Sequence, residues 1–286
     1  MLIRKVIAYF QRYFSYTEPL NAINKNMKTF KHILHLTFIL ILTISCSDDI
    51  TNPEIDEVQP LPPYGGTVWI ESEIITENDL SSFQSIRANG TDLRTMYDRR
   101  VNDWIQVEAH LFEVTFEKFT IEAQVNPEFT SEEAQNLAAK YSEVIGKMPA
   151  VLLSKLETIW IHDGNEGFGG GNNSFDIYKE FGEVLESRGV LEEVFLHEGT
   201  HVSLDLEHAS SLDWESAQNN DPTFISTYAK DNPSREDLAE SFLTYFAVRF
   251  TEDRLTNEMK NVILSTIPNR IQYLDNQDFD YSPWGD

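Results

Sequence analysis

The sequence predicts an α+β domain with a small, mostly antiparallel sheet, one helix bearing His-Glu-x-x-His, and a helical C-terminal part. Three observations carry that prediction. Apolar and polar residues alternate with period two between Ile105 and Asn126. A helical apolar run surrounds Leu196-His197-Glu198-Gly199-Thr200-His201, and a second helical run follows Asn232-Pro233.

The N-terminal part reads as a targeting region. Met27-Lys28-Thr29-Phe30-Lys31-His32 gives a basic start, Ile33 to Ile44 is almost wholly apolar, and Ser45-Cys46 follows. That run is too short for a membrane span and has the layout of a secretory signal. Residues 1–45 are therefore the signal region, with Met27 as the expected true start. Thr43-Ile44-Ser45-Cys46 resembles a bacterial lipobox, which implies a mature chain anchored through an acylated Cys46 at the outer membrane or cell surface. Residues 46–65, with Pro53, Pro60, Pro62 and Pro63 and no apolar periodicity, read as the lipidated flexible tether. Residues 66–286 remain for one domain with its own core.

Cys46 is the single cysteine, so the mature chain has neither an internal disulfide nor a thiolate metal ligand. Loss of residues 1–45 removes six of the 22 Lys and Arg and one of the 47 Asp and Glu, moving the formal charge from −25 to −30. So acidic a surface argues against nucleic acid as a partner, because phosphate backbones are neutralised by Lys and Arg.

The elements follow in order. Val68 to Ile70 is expected as a short strand. Val107, Ala109 and Leu111, then Phe119, Ile121, Ala123 and Val125, mark one or two half-buried antiparallel strands. Thr130-Ser131-Glu132-Glu133 fits a capping box, and Leu137, Ala138, Tyr141, Val144 and Ile145 continue at helical spacing to an end near Gly146. Thr158 to His162 is a further strand. Gly164 to Ser174 is expected as a glycine-rich loop, a rim where a ligand can approach the backbone, and Phe175 to Tyr178 as a short strand. No Lys-Ser/Thr follows the glycines and no helix is expected at the loop's end, which argues against a P-loop. Arg87, Arg94, Arg99 and Arg100 are expected to serve internal salt bridges rather than to grip a substrate carboxylate.

The chemistry sits in the two helices. Four residues apart on a helix, His197 and His201 share a face with Cβ atoms ~5–6 Å apart, close enough to hold one zinc ion. Glu198 is turned ~100° around the axis, where it can reach a metal-held water. A third ligand is needed. His208 lies seven residues past His201, one too far for the metzincin spacing, and Leu204 stands where that pattern needs glycine. Downstream, Asn232 is expected to cap a helix with Pro233 at its first position, so that Glu236 and Glu240 share one face a turn apart. Either acid could then be the ligand.

His197-Glu198-x-x-His201 together with Glu236-Asp237-x-Ala239-Glu240 resembles the glutamate zincins, or gluzincins, the group holding thermolysin-like and lethal-factor-like zinc metallopeptidases. The resemblance implies a zincin-like catalytic domain with one zinc on His197, His201 and Glu236. It makes Glu240 a partner for a ligand histidine's far nitrogen, and Asp205 another. It makes Glu198 the general base and Tyr228 the donor to the developing oxyanion. The implied activity is zinc-dependent hydrolysis of a peptide or protein substrate. A catalytically silent zincin-like binding lipoprotein and a zinc hydrolase of a non-peptide amide are the alternatives.

Overall fold

The computed structural model describes residues 60–70 and 73–285, so the expected signal region 1–45, Cys46 and most of the tether lie outside the described residues. The sheet runs in the order β1-β2-β3-β4-β6-β5. β1 (Phe83–Asp98) and β2 (Asp103–Phe116) form a long antiparallel hairpin, and β3 (Thr120–Val125) pairs antiparallel with β2. β4 (Thr158–His162) and β6 (Ser174–Tyr178) continue in parallel, and β5 (Gly169–Gly171) closes the edge antiparallel to β6. The sheet is thus mostly antiparallel.

α1 (Ser131–Ile145) and α2 (Ala150–Leu153) cross from β3 to its parallel neighbour β4. α1 starts at the expected capping box, where the Glu133 N–H donates to the Thr130 hydroxyl at 3.3 Å and the Thr130 N–H donates to the Glu133 carboxylate at 2.9 Å. After the sheet come α3 (Lys179–Ser187), α4 (Leu191–Ser203), a π-helical turn at Asp205–Ala209, α5 (Leu212–Asn220) and α6 (Thr227–Asp231). α7 (Asp237–Phe250), α8 (Asn257–Thr266) and α9 (Pro268–Asp275) complete the helical C-terminal part.

One sheet face packs on the helices. Phe175 of β6 meets Phe195 of α4 with ring centroids 5.4 Å apart, and Tyr141 of α1 closes on the same ring at 6.3 Å. The hairpin covers the other face. A register shift between Ala88 and Thr91 bends it, and its distal half brings Met96, Ala109 and Leu111 into one apolar cluster with Trp160 of β4. At the hairpin tip Arg100 clasps Asp98, the Arg99 N–H donates to the Tyr178 hydroxyl at 2.6 Å, and the Arg99 guanidinium lies 3.3 Å from Asp176. Arg87 and Arg94 pair with Glu113 and Glu122, so all four arginines serve salt bridges as expected.

Five expectations change. β1 was not foreseen, because its first half is exposed on both faces and lacks an apolar pattern. Gly169–Gly171 is a strand rather than loop, joined to β6 by Asn172-Asn173, both at positive φ, which suits a two-residue hairpin turn. Val68 to Ile70 is not a strand; its N–H groups go to side-chain carboxylates instead of a ladder. The tether ends earlier than residue 65, since Tyr64 already pairs with Ser226. Asn232 does not start the acidic helix. The Ser226 hydroxyl caps α6 upstream, Asn232 ends it by donating from its side chain to the Tyr228 carbonyl at 3.1 Å, and α7 begins at Asp237.

The hairpin-tip cluster sets a pH dependence. Burial pushes the Asp176 carboxyl up to about 7, against the pull of Arg99. A carboxyl raised on folding contributes stability below its unfolded pKa of about 4 and loses it as pH rises towards 7. Asp176→Asn, a mimic of the neutral acid, is expected to raise the melting temperature by about 3–6 °C at pH 8, with the gap closing towards pH 4. A gap that does not vary with pH would show that Asp176 is ionised throughout.

Candidate metal centre

α4 has no side-chain cap and is held by packing. Its back is flush with α2: a methyl on Gly199 would lie 3.0 Å from Leu152 Cβ, and the Ser203 hydroxyl donates to the Leu152 carbonyl at 2.6 Å. That contact turns His197 and His201 towards α7. Pro233 to Glu236 form a turn that keeps helical spacing into α7, since the Glu236 N–H donates to the Asn232 carbonyl at 2.9 Å and the Glu240 N–H to the Glu236 carbonyl at 3.0 Å. Glu236 and Glu240 therefore sit a turn apart as expected, although the helix begins later. Asp237 fixes the start of α7 through fully buried Arg270, which donates from Nε at 2.8 Å and also binds Asp221 at 2.9 Å.

Three ligand atoms converge. His197 Nε2 and His201 Nε2 are 3.1 Å apart, and Glu236 Oε2 is 3.4 Å from the first and 3.3 Å from the second. His197, His201 and Glu236 form the single metal-capable group among the described residues. A tetrahedral zinc site with bonds of about 2.0–2.1 Å has ligand-to-ligand edges of about 3.3–3.4 Å. The observed triangle fits that size, and its donor set, two imidazoles and one carboxylate, suits the same ion.

The far side of each imidazole faces a carboxylate. His201 Nδ1 is 2.7 Å from Asp205 Oδ2, and His197 Nδ1 is 3.4 Å from Glu240 Oε1. Asp205 is thus hydrogen-bonded behind His201, whereas Glu240 faces His197 at ion-pair distance without a hydrogen bond, and each ring turns Nε2 to the triangle. Burial disfavours the imidazolium of His201, but hydrogen bonds to Asp205 and Glu236 outweigh it and push the ring up to about 10. Burial likewise opposes ionisation of Glu236, and hydrogen bonds from His197 and His201 hold it well below the usual carboxylate range. Glu240, with no exposed surface, is pushed by burial up to about 7, while His197, Ser226 and the Val68 N–H pull the other way.

Glu198 is half-buried and close enough for its charge to act on both histidines and Tyr228. The Tyr228 hydroxyl is hydrogen-bonded to Glu236; burial, then the Glu236 charge, raises its pKa and keeps it a donor. His208 is elsewhere, its Nδ1 2.7 Å from the Tyr273 hydroxyl. β5 lies directly on α4: a methyl on Gly170 would stand 2.1 Å from the Glu198 carbonyl oxygen, so no side chain fits there. Val68 and Ser226, which bond Glu240, carried no signal in sequence, because the first acts through its main chain from far upstream and the second through a hydroxyl outside any periodic pattern.

No protein-family model matches the chain, and neither the curated proteins nor the solved structures yield a match.

Glu236→Ala is expected to reduce zinc in the purified chain to well under one per molecule. Glu240→Ala and Asp205→Ala should retain zinc with about 10–100-fold weaker affinity, the usual cost of losing a partner behind a ligand. Metal analysis with chelator competition reads both, and the reverse order would exchange the roles of Glu236 and Glu240.

Proposed function

We propose that this chain is a zinc-dependent peptide hydrolase of the glutamate-zincin kind. The observation that carries the reading is the near-equilateral triangle of His197, His201 and Glu236, with a carboxylate behind each imidazole. Zinc bound there acts as a Lewis acid, lowering the pKa of water and polarising a carbonyl.

The chain's own groups do the rest. Glu198 takes the proton of the attacking water and delivers it to the leaving amine. Tyr228 donates its hydroxyl hydrogen to the substrate oxygen as negative charge grows on it. Asp205 accepts from the Nδ1–H of His201 and fixes its tautomer, and the Glu240 charge faces Nδ1 of His197. An extended peptide pairs along the free edge of β5, beside α4, by adding a strand to the sheet. An intact base next to the metal ligands favours hydrolysis over mere binding.

Glu198→Gln should keep zinc and fold while hydrolysis of a peptide library falls by about 10²-fold or more. Tyr228→Phe should lower kcat with little change in KM, because an oxyanion donor acts mainly on the transition state. Full activity in Glu198→Gln would refute the mechanism. A wild-type chain that binds zinc and cleaves no peptide would favour the binding-lipoprotein or non-peptide amide readings.

The lipid anchor at Cys46 is part of the same proposal and rests on Thr43-Ile44-Ser45-Cys46. Cys46→Ala should release the protein from membranes or block its processing. Unchanged fractionation, with no acylated peptide by mass spectrometry, would remove the anchor from the reading.

A further inference from the structure

Residues 64, 66, 68 and 70 each spend main-chain groups on the elements that carry the metal centre, along a segment that bends at Gly66, where φ is +77°. The Tyr64 N–H donates to the Ile225 carbonyl at 3.2 Å, and the Tyr64 carbonyl accepts from the Thr227 N–H at 2.9 Å. The Gly66 N–H donates to the Thr227 hydroxyl at 2.7 Å, and the Gly66 carbonyl accepts from the Tyr228 N–H at 3.2 Å. The Val68 N–H donates to Glu240 Oε2 at 2.7 Å, and the Ile70 N–H to Glu193 Oε2 at 2.8 Å.

Glu240 is where this strap touches the chemistry. Its carboxylate is fully buried, with one oxygen held by Val68 and the other 3.4 Å from His197 Nδ1. A carboxylate fixed at one oxygen presents the other in a fixed direction. Without the Val68 N–H, the buried carboxylate loses a short charge-assisted bond and is held by the Ser226 hydroxyl alone, which leaves it free to swing about that contact. The partner that orients His197 then moves. Gly66 acts in the same way on the backbone of Tyr228.

We propose that the main chain of residues 64–68 is a positioning part of the metal centre, with the Val68 N–H holding Glu240 beside His197. The inference rests on the zinc reading of the site. It makes docking of the N-terminal strap a condition of tight metal binding. By reciprocity, metal binding tightens the strap.

The strap carries its own control. The Ile70 N–H makes the same kind of bond two residues on, but to Glu193, which is outside the ligand group. In the full chain, Val68→Pro, which removes one N–H, is expected to weaken zinc binding about 10–100-fold in competition with a chromophoric chelator. Val68→Ala, which keeps the N–H, should weaken zinc binding much less than Val68→Pro. Ile70→Pro should change affinity less than about threefold, even where its melting temperature falls as far. Equal weakening by the two prolines, or wild-type affinity in Val68→Pro, would overturn the proposal. Hydrogen exchange on the wild-type chain needs no variant. Zinc loading should slow the Val68 amide about tenfold or more relative to β1 and β2. Exchange there that ignores zinc while zinc binds would overturn the proposal with the site reading intact. A wild-type chain that takes up no zinc would remove both.

Discussion

Three carboxylates crowd the buried start of one helix. Glu236 is 2% exposed, and Asp237 and Glu240 have no exposed surface. An unpaired buried charge costs several kcal/mol, so each acid must find a counter-charge or strong donors. Much of the surrounding structure answers that need. Asp237 receives Arg270 and Gln218, Glu240 receives the Val68 N–H and Ser226, and Glu236 receives the two imidazoles of α4. The first pairing locks the C-terminal helices together, the second ties down the N-terminal strap, and the third brings α4 and α7 into register.

This arrangement also explains why α7 is apolar and buried from Leu238 through Val248 apart from Glu240, Ser241 and Thr244. A helix with one wet face could leave its acids to solvent. Buried on all sides, it holds them only where partners stand. Breaking the Asp237–Arg270 pair would cost about 3–5 kcal/mol by the usual scale for a buried ion pair that loses one member. The candidate metal centre is thus built on the same helix end as the fully buried Asp237–Arg270 pair.

Patterned and local signals were legible in the amino-acid sequence. The capping box at Thr130, the strand at Thr158–His162, the β2–β3 alternation and the helix around His197 each depend on spacing within a few residues, and each formed as expected. The candidate ligands His197, His201 and Glu236, with Asp205 and Glu240, also came together, because helical period alone sets i, i+4 pairs once two helices face each other. What stayed hidden lacked a side-chain pattern. β1 owes its strand to β2, β5 has no side chains at all, and residues 64–70 bond through the main chain. Asn232 and Pro233 carried a strong start signal that lost to Ser226, a cap six residues earlier whose hydroxyl also serves Glu240.

The absence of a side chain at Gly170 fixes more than a close fit. Because β5 meets α4 main chain to main chain, the offset between the sheet edge and Glu198 is a constant of the backbone, untouched by rotamer or residue size. On the proposed reading, a peptide laid along that edge advances in ladder steps of about 3.3 Å per residue. Its register against the reacting groups is then counted in residues, whatever those residues are. Such a gauge reads length and extension, and leaves discrimination among side chains to the walls on either side of the edge.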